Sequence, residues 1–175
     1  MPEAKSNSLL PRPCDQCSLC CKVLGVSELQ KVANQWCSYF APGKRCTIYP
    51  TRPNECRQFQ CGWSKSLEFD LSWRPDRAHF VIDDSRANEL MIVVDPAYPD
   101  AWRKEPYYSR IKYVASREHV PAILVQVRVR GNVLIVFPES EIDLGPNQPG
   151  SLIRSGYELR DGKPVPWARF VPKTG

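Results

Sequence analysis

The distribution of cysteines constrains this chain more than any other feature of its sequence. All eight cysteines lie within residues 14–61, and the rest of the 175-residue chain contains none. Four of them fall in the stretch CDQCSLCC, which covers residues 14–21. Unrelated cysteines would be spread along the chain. The asymmetry therefore indicates a cysteine-rich N-terminal module followed by an ordinary globular part.

The segment that contains the cysteines has few signals of regular structure. Apolar residues at helical spacing predict a short helix over about residues 28–36, with Ser27 as its N-cap. Prolines and a glycine interrupt the following stretch, which predicts loops and one helical turn after Pro53. A segment of this kind needs covalent or metal crosslinks to stay ordered. We expect a flexible leader over residues 1–13 and a metal- or cluster-binding module over residues 14–76.

Residues 77–175 predict a second module that contains both strands and a helix. The runs AHFVIDD and ELMIVVD are typical of strands, and the pattern favours a helix over about residues 106–118. Alternating valines and polar residues, followed by Gly131-Asn132, predict a β-hairpin near residues 122–137. A second hairpin is predicted at the edge, around Asp161-Gly162. The expected fold is α+β, with an irregular cysteine-rich module packed on a small antiparallel sheet with one or two helices.

Three interpretations of the cysteines remain open at this stage. A disulfide framework fits the even count, but residues 1–13 lack the apolar run of a secretion signal, and disulfide scaffolds usually spread cysteine through the chain. A set of unrelated buried cysteines would not produce the spacing C-x2-C-x2-C-C. Metal or cluster ligation explains both number and spacing, because thiolates bind soft and borderline metals and four of them complete one site. The predicted ligands are Cys14, Cys17, Cys20, Cys21, Cys37, Cys46, Cys56 and Cys61.

The spacing of the first cysteines bears on the choice between zinc and an iron–sulfur cluster. Structural zinc sites usually pair two separated C-x2-C knuckles, whereas Cys14, Cys17 and Cys20 have the spacing of a ferredoxin run. This spacing slightly favours iron–sulfur. Cys21 directly follows Cys20, so its side chain is expected to point away from the first centre. We expect Cys21 to reach a second centre or to remain a reactive thiol.

Two blocks of this segment resemble a known family. The first block is CDQCSLCCK, and the second, residues 46–61, is CTIYPTRPNECRQFQC. They are similar to the zinc- or iron-chelating domain family named for its C-x2-C-x2-C-C motif, and the match covers about residues 14–63. The resemblance implies a metal-chelating module, found mostly in bacterial proteins of undefined activity, with the eight cysteines as ligands. A similar module occurs in flagellin lysine methylases, which implies a cluster-dependent protein-modifying enzyme as an alternative.

Side chains beside the cysteines have roles that the sequence leaves open. Arg52 and Arg57 either face solvent or donate hydrogen bonds to cluster sulfurs or to the backbone. Tyr49, Phe59 and Trp63 are expected to pack over the centre and to exclude water. The two histidines, His79 and His119, are each a possible ligand, although eight cysteines suffice without them.

The sequence therefore predicts a metal-binding protein that acts as a carrier of metal or cluster, or as a redox accessory protein. A structural zinc module for protein or nucleic-acid contacts is a further alternative, and whether the chain is an enzyme stays open. No stretch approaches the length of a transmembrane helix, so we expect a cytoplasmic protein without a membrane partner. The net charge of +5 is spread over both halves of the chain. We therefore expect a metal or cluster, and a protein partner, rather than nucleic acid.

Overall fold

The computed structural model describes Arg12, residues 17–116 and residues 122–173. Within these ranges short helices alternate with several small sheets, which confirms the α+β class. The described α-helices are α1 (Cys20–Val23), α2 (Asn54–Gln58), α3 (Gly62–Lys65), α4 (Pro75–Ala78) and α5 (Tyr107–Val114). Turns of 3-10 helix cover Ser27–Leu29, Tyr49–Thr51, Leu71–Trp73 and Ala101–Arg103. The strands are β1 (Phe40–Ala41), β2 (Arg45–Cys46), β3 (Phe80–Asp83), β4 (Glu89–Val94), β5 (Leu124–Val129), β6 (Asn132–Val136), β7 (Glu141–Pro146), β8 (Ser151–Arg160) and β9 (Lys163–Pro172).

The central sheet has five strands in the order β3-β4-β5-β6-β7. Its neighbours pair antiparallel except for β4 and β5, which pair parallel. The expectation of an antiparallel sheet is therefore wrong at this one pair. After β4 the chain passes through α5 and returns in the same direction, as a crossover connection between parallel strands requires.

Both predicted hairpins are present. The hairpin of β5 and β6 turns at Arg130 and Gly131, whose φ angles are 51° and 85°, and Asn132 already pairs with Val129. The turn thus lies one residue earlier than predicted, because two residues with positive φ match the twist of the strands. The second hairpin joins β8 to β9 through Asp161-Gly162, as predicted, and each of its strands has ten residues. Its predicted position at the edge is wrong, because the two strands form a sheet of their own and do not extend the central sheet.

The helix predictions had mixed outcomes. The helical turn after Pro53 is confirmed as α2, and α5 occupies the middle of the range 106–118, whose last two residues lie outside the described ranges. The helix predicted over residues 28–36 is wrong beyond Leu29. At Gln30 the backbone takes a left-handed conformation with a φ of 51°, which reverses the chain and pairs Lys31 with Val26.

The two faces of the central sheet are covered by different parts of the chain. Val125 and Val127 belong to a core with Trp102 and with Ile111 of α5. This core also takes in residues of the cysteine segment, so the two predicted modules share apolar packing. Side chains alternate along a strand, so Gln126 and its neighbours at alternate positions face the opposite side.

The opposite face is covered at its two ends by two separate parts of the chain. At the β6 end, Val133 and Ile135 form a second core with Ile153 and Phe170 of the β8–β9 hairpin. At the β3 end lies the cysteine segment. Val81 of the edge strand pairs with Val93 of β4 on this face, and both line a cavity together with the cysteines. None of the helices in the described ranges has the length and hydropathy needed to cross a lipid bilayer.

Candidate metal centre

The cysteines that the sequence predicts as ligands come together around one cavity. Cys14 lies outside the described residues, and the other seven line a cavity of about 550 Å³ between the cysteine segment and the central sheet. Cys17, Cys21, Cys37, Cys46, Cys56 and Cys61 are free thiols rather than members of disulfides. A segment of 45 residues, from Cys17 to Cys61, therefore brings its sulfurs to one side of the sheet.

The first cysteines are positioned by a single helical turn. The backbone N–H of Cys21 donates to Ser18 O at 2.9 Å, and α1 then places Cys20 and Cys21 about 100° apart around the helix axis. The two side chains nevertheless stay close enough for their sulfurs to form a hydrogen bond. Val23 at the end of the same turn is fully buried and fixes α1 on the sheet.

The later cysteines are positioned by short backbone connections. The N–H of Cys37 donates to Cys21 O at 3.0 Å, which ties the second part of the segment to α1. The strands β1 and β2 pair Phe40 with Cys46. Cys56 lies in the middle of α2, and Cys61 immediately precedes α3.

The electrostatic neighbours of the thiols divide them into two groups. Burial raises the pKa of Cys17 to about 11, and the nearby charges of Asp76 and Cys61 add to this increase. Burial also raises the pKa of Cys56, with further contributions from the thiolates of Cys21, Cys37 and Cys46. Cys61 is thus an electrostatic neighbour of Cys17, whereas Cys21, Cys37 and Cys46 are electrostatic neighbours of Cys56.

Lys31 supplies a cation inside the cysteine cluster. Its ammonium group donates to the carbonyl oxygens of Lys22 and Val32, each at 3.2 Å, and to that of Leu24. Burial lowers the pKa of Lys31, and the surrounding thiolates, above all Cys37, oppose this effect. A positive charge held among thiols stabilises their thiolate forms.

Cys21 is a thiol whose pKa its neighbours lower. A hydrogen bond with Cys20 lowers the pKa of Cys21 to about 7; burial opposes this change, and Lys31 contributes to it. Sequence reasoning missed Lys31, because the helix predicted over residues 28–36 does not bring the Lys31 side chain back toward α1, whereas the reversal at Gln30 does. Its only signal was that it lies between two cysteine blocks.

Two contacts between side chains and the rest of the protein hold the segment in place. The Lys22 ammonium binds both carboxylate oxygens of Asp95, at 2.7 and 2.8 Å, and Asp95 is buried at the end of β4. Glu28 and Glu55 bind reciprocally: the Ser27 N–H donates to Glu55 Oε2 at 2.7 Å, and the Glu55 N–H donates to Glu28 Oε1 at 2.9 Å. The first contact fixes α1 to the sheet, and the second fixes α2 to the 3-10 turn at Ser27–Leu29.

The other candidate side chains take different positions. Arg52 donates to Tyr49 O at 3.2 Å, and Arg57 donates to Arg52 O at 2.8 Å, so both bind the backbone. Phe59 and Trp63 line the cavity, as expected, whereas Tyr49 is exposed and stacks under the Arg52 guanidinium.

The histidines do not join the described cysteines. The His79 ring stacks on Tyr98 with 3.7 Å between centroids and does not line the cavity. His119, like Cys14, lies outside the described residues.

The thiols suit a thiophilic metal chemically, but they do not form a finished site. Within residues 17–116 and 122–173, no three side chains of histidine, cysteine, aspartate or glutamate form a group that would hold a metal ion. The described cysteines share a cavity without converging on one point. Closure around a metal would require their side chains to move together, as happens where metal binding is coupled to folding.

Comparison of this chain with protein-family models, with curated proteins and with solved structures found no significant match. The resemblance to the C-x2-C-x2-C-C family therefore depends on the cysteine blocks themselves.

Proposed function

We propose that this protein binds a metal or an iron–sulfur cluster through its cysteine thiolates and acts as a carrier or as a redox accessory protein. The observation that carries the proposal is the gathering of seven sequence-separated cysteines around one cavity, with the Lys31 ammonium among them. Thiolates in such numbers prefer zinc, copper(I) or iron–sulfur clusters over hard cations. The proposal includes a reducing compartment such as the cytoplasm, because free thiols persist there.

The two electrostatic groups support a specific division of the ligands between two centres. We assign Cys17 and Cys61 to the first centre, together with Cys14 and Cys20 of the ferredoxin-like run. Cys20 is assigned by its spacing alone, because its side chain is hydrogen-bonded to Cys21 and must turn away from it when the first centre forms. The second centre takes Cys56 and its electrostatic neighbours, namely Cys21, Cys37 and Cys46. Each centre then has four thiolates, which is a complete set for one zinc ion or one cluster.

Metal and sulfide analysis of anaerobically purified protein tests the proposal. A broad visible absorption with stoichiometric iron and acid-labile sulfide supports an iron–sulfur protein, and the ferredoxin-like spacing leads us to expect this result. Colourless protein with bound zinc and no iron would support metal binding and reject the iron–sulfur version. Cysteines found paired as disulfides in freshly lysed cells would contradict the whole proposal.

The division into two centres is tested by a matched pair of variants. Cys61→Ser should remove one centre, and Cys46→Ser should remove the other, so each variant should retain about half of the wild-type metal. The double variant should retain none. Native mass spectrometry measures this stoichiometry directly. A single variant that loses all metal while its far-ultraviolet circular dichroism stays unchanged would show that the two groups form one centre.

A second candidate, a cluster-dependent modifying enzyme, is favoured by the size of the cavity. A space of about 550 Å³ lies beside the sulfurs, and this exceeds what metal ligation requires. Enzymes of this kind need a concave space next to the reactive centre, whereas a purely structural zinc module does not.

A further inference from the structure

The cavity beside the cysteines continues beyond them along the central sheet. Val81, Met91 and Val93 form an apolar floor at the β3 and β4 end. At its far end the cavity reaches Arg128 and the turn that follows β5. One end of the cavity is therefore lined by thiols, its middle is apolar, and its other end holds a cation.

Arg128 is held on this face by strand register. It pairs with Val93 of β4, so the two side chains project to the same side of the sheet. Its guanidinium donates to Gln126 Oε1 at 3.3 and 3.4 Å, which are long distances for hydrogen bonds. Among the described residues, no carboxylate oxygen lies within 4.0 Å of it, although Asp83 also lines the cavity.

The Arg128 charge is incompletely compensated in this position. Its side chain is partly buried, burial lowers its pKa, and the neighbouring Arg86 adds repulsion, while the more distant charges of Glu89 and Asp83 oppose these effects only in part. Taking a charge out of water is unfavourable unless a partner of opposite charge binds it. Arg130, two residues later, provides the contrast, because it is exposed and donates to Pro96 O at 3.1 Å.

The flanking polar groups complete a surface suited to an oxyanion. Asn132 and Asn147 line the cavity near Arg128, and their amides can donate further hydrogen bonds. A guanidinium matches the two oxygens of a carboxylate in a bidentate arrangement. The apolar floor, in turn, suits a hydrocarbon body, and the cavity volume falls in the range of small-molecule sites.

We propose that this cavity binds a small organic acid, with its carboxylate at Arg128 and its apolar body along Val81, Met91 and Val93 toward the cysteines. The inference deepens the proposed function by naming a ligand class for the same cavity. It rests on the proposed function only where it takes the cysteines at one end of the cavity to be ligands of a metal or cluster.

Octanoate serves as the probe, and octanamide serves as its neutral analogue of equal length. Isothermal titration of the full chain, with the metal content of each sample measured, should show octanoate binding at least about tenfold more tightly than octanamide, because a charge-assisted hydrogen bond is lost with the amide. Arg128→Met should weaken octanoate binding by about the same factor. Arg130→Met, the matched control on the same strand end, should leave the affinity unchanged.

Three results would overturn the inference: no binding at millimolar octanoate, equal affinity for octanoate and octanamide, or full affinity in Arg128→Met. If Arg128→Met does not fold, the comparison of the two probes on the wild-type chain still decides the question. Octanoate binding that depends on Arg128 in an anaerobically purified protein without iron, zinc or copper would refute the proposed function and leave this inference standing. Metal binding without octanoate binding would support the proposed function and refute this inference.

Discussion

Lys22 occupies a position in which one side chain links the cysteine segment to the sheet. It follows Cys21 directly, and its ammonium reaches the buried carboxylate of Asp95 at the end of β4. The side chains of Lys22 and Asp95 are 18% and 5% exposed. Removing one partner of such an ion pair destabilises the protein, because the other charge is left without its counterpart.

Replacing Asp95 with asparagine should therefore destabilise the protein. We expect Asp95→Asn to lower the free energy of unfolding by about 1–3 kcal/mol, less than for a fully buried pair because Lys22 keeps some contact with water. Urea unfolding followed by tryptophan fluorescence measures the change. Asp100→Asn is the control, because Asp100 is 75% exposed in its pair with Arg103 and should change stability by less than about 0.5 kcal/mol. Equal effects of the two variants would contradict this role of Asp95.

Among the elements, the cysteine segment has the least regular structure of its own. Its helices have four or five residues, and the two strands of its sheet have two residues each. Helices of one turn are unstable in isolation because nucleation is unfavourable. The order of this segment therefore depends on its packing against the sheet and, under the proposed function, on metal.

Metal removal should loosen this segment selectively. After chelator treatment under reducing conditions, we expect protease cleavage within residues 17–65 to become faster, while the β5–β6 hairpin stays protected. Limited proteolysis with mass spectrometry locates the cleavage sites. Returning the metal should restore protection. An unchanged cleavage pattern in residues 17–65 would argue against a structural role of the metal.

The elements also show how far sequence patterns predict this fold. Local signals identified β3, β4 and both hairpins, because alternation and turn residues act over a few positions. The short strands β1 and β2, and the strand β7, were not predicted. The parallel pairing of β4 with β5 had no local signal, since it depends on where the chain goes between them. The helix predicted over residues 28–36 failed for a related reason. Its apolar spacing was right for a helix, but tertiary contacts at Ser27 and Lys31 favoured a reversal at Gln30.

For the candidate site, residue identity was more predictable than grouping. The cysteine spacing predicted that these residues act together, and the seven described cysteines line one cavity. Their role as ligands stays a prediction, as does the expectation that Cys21 points away from the first centre, since its side chain is hydrogen-bonded to Cys20. The approach of Cys61 to Cys17, and the role of Arg128, depend on tertiary contacts that spacing does not encode. Alternation alone does not show that another part of the chain lies over the polar strand face that carries Arg128.

At the scale of the whole molecule, two separate parts of the chain pack on one face of the central sheet. The cysteine segment lies over β3 and β4, and the β8–β9 hairpin lies over β6. Phe170 of β9 packs on the core that Val133, Ile135 and Phe137 form. The cavity lies on the same face, and its far rim includes residues of the β5–β6 turn.

Truncation of Phe170 tests how strongly the hairpin is held. Phe170→Ala should lower the free energy of unfolding by about 2–4 kcal/mol, because the variant loses the apolar contacts of a large side chain. Leu159→Ala is the matched control on the same hairpin, since Leu159 is 77% exposed and should cost under about 0.5 kcal/mol. Thermal unfolding monitored by circular dichroism measures both variants. If Phe170→Ala proves no more damaging than Leu159→Ala, the hairpin is not held by this contact.

The single parallel pairing in the sheet also sets an order of assembly. The hairpins close over short loops and can form early, whereas joining β4 to β5 closes a long loop and is correspondingly slow. Only after this step does Arg128 lie beside Val93. The cavity is thus among the last features to appear as the chain folds, and a small molecule bound there would report on completed folding and slow global unfolding rather than protect any partly assembled state.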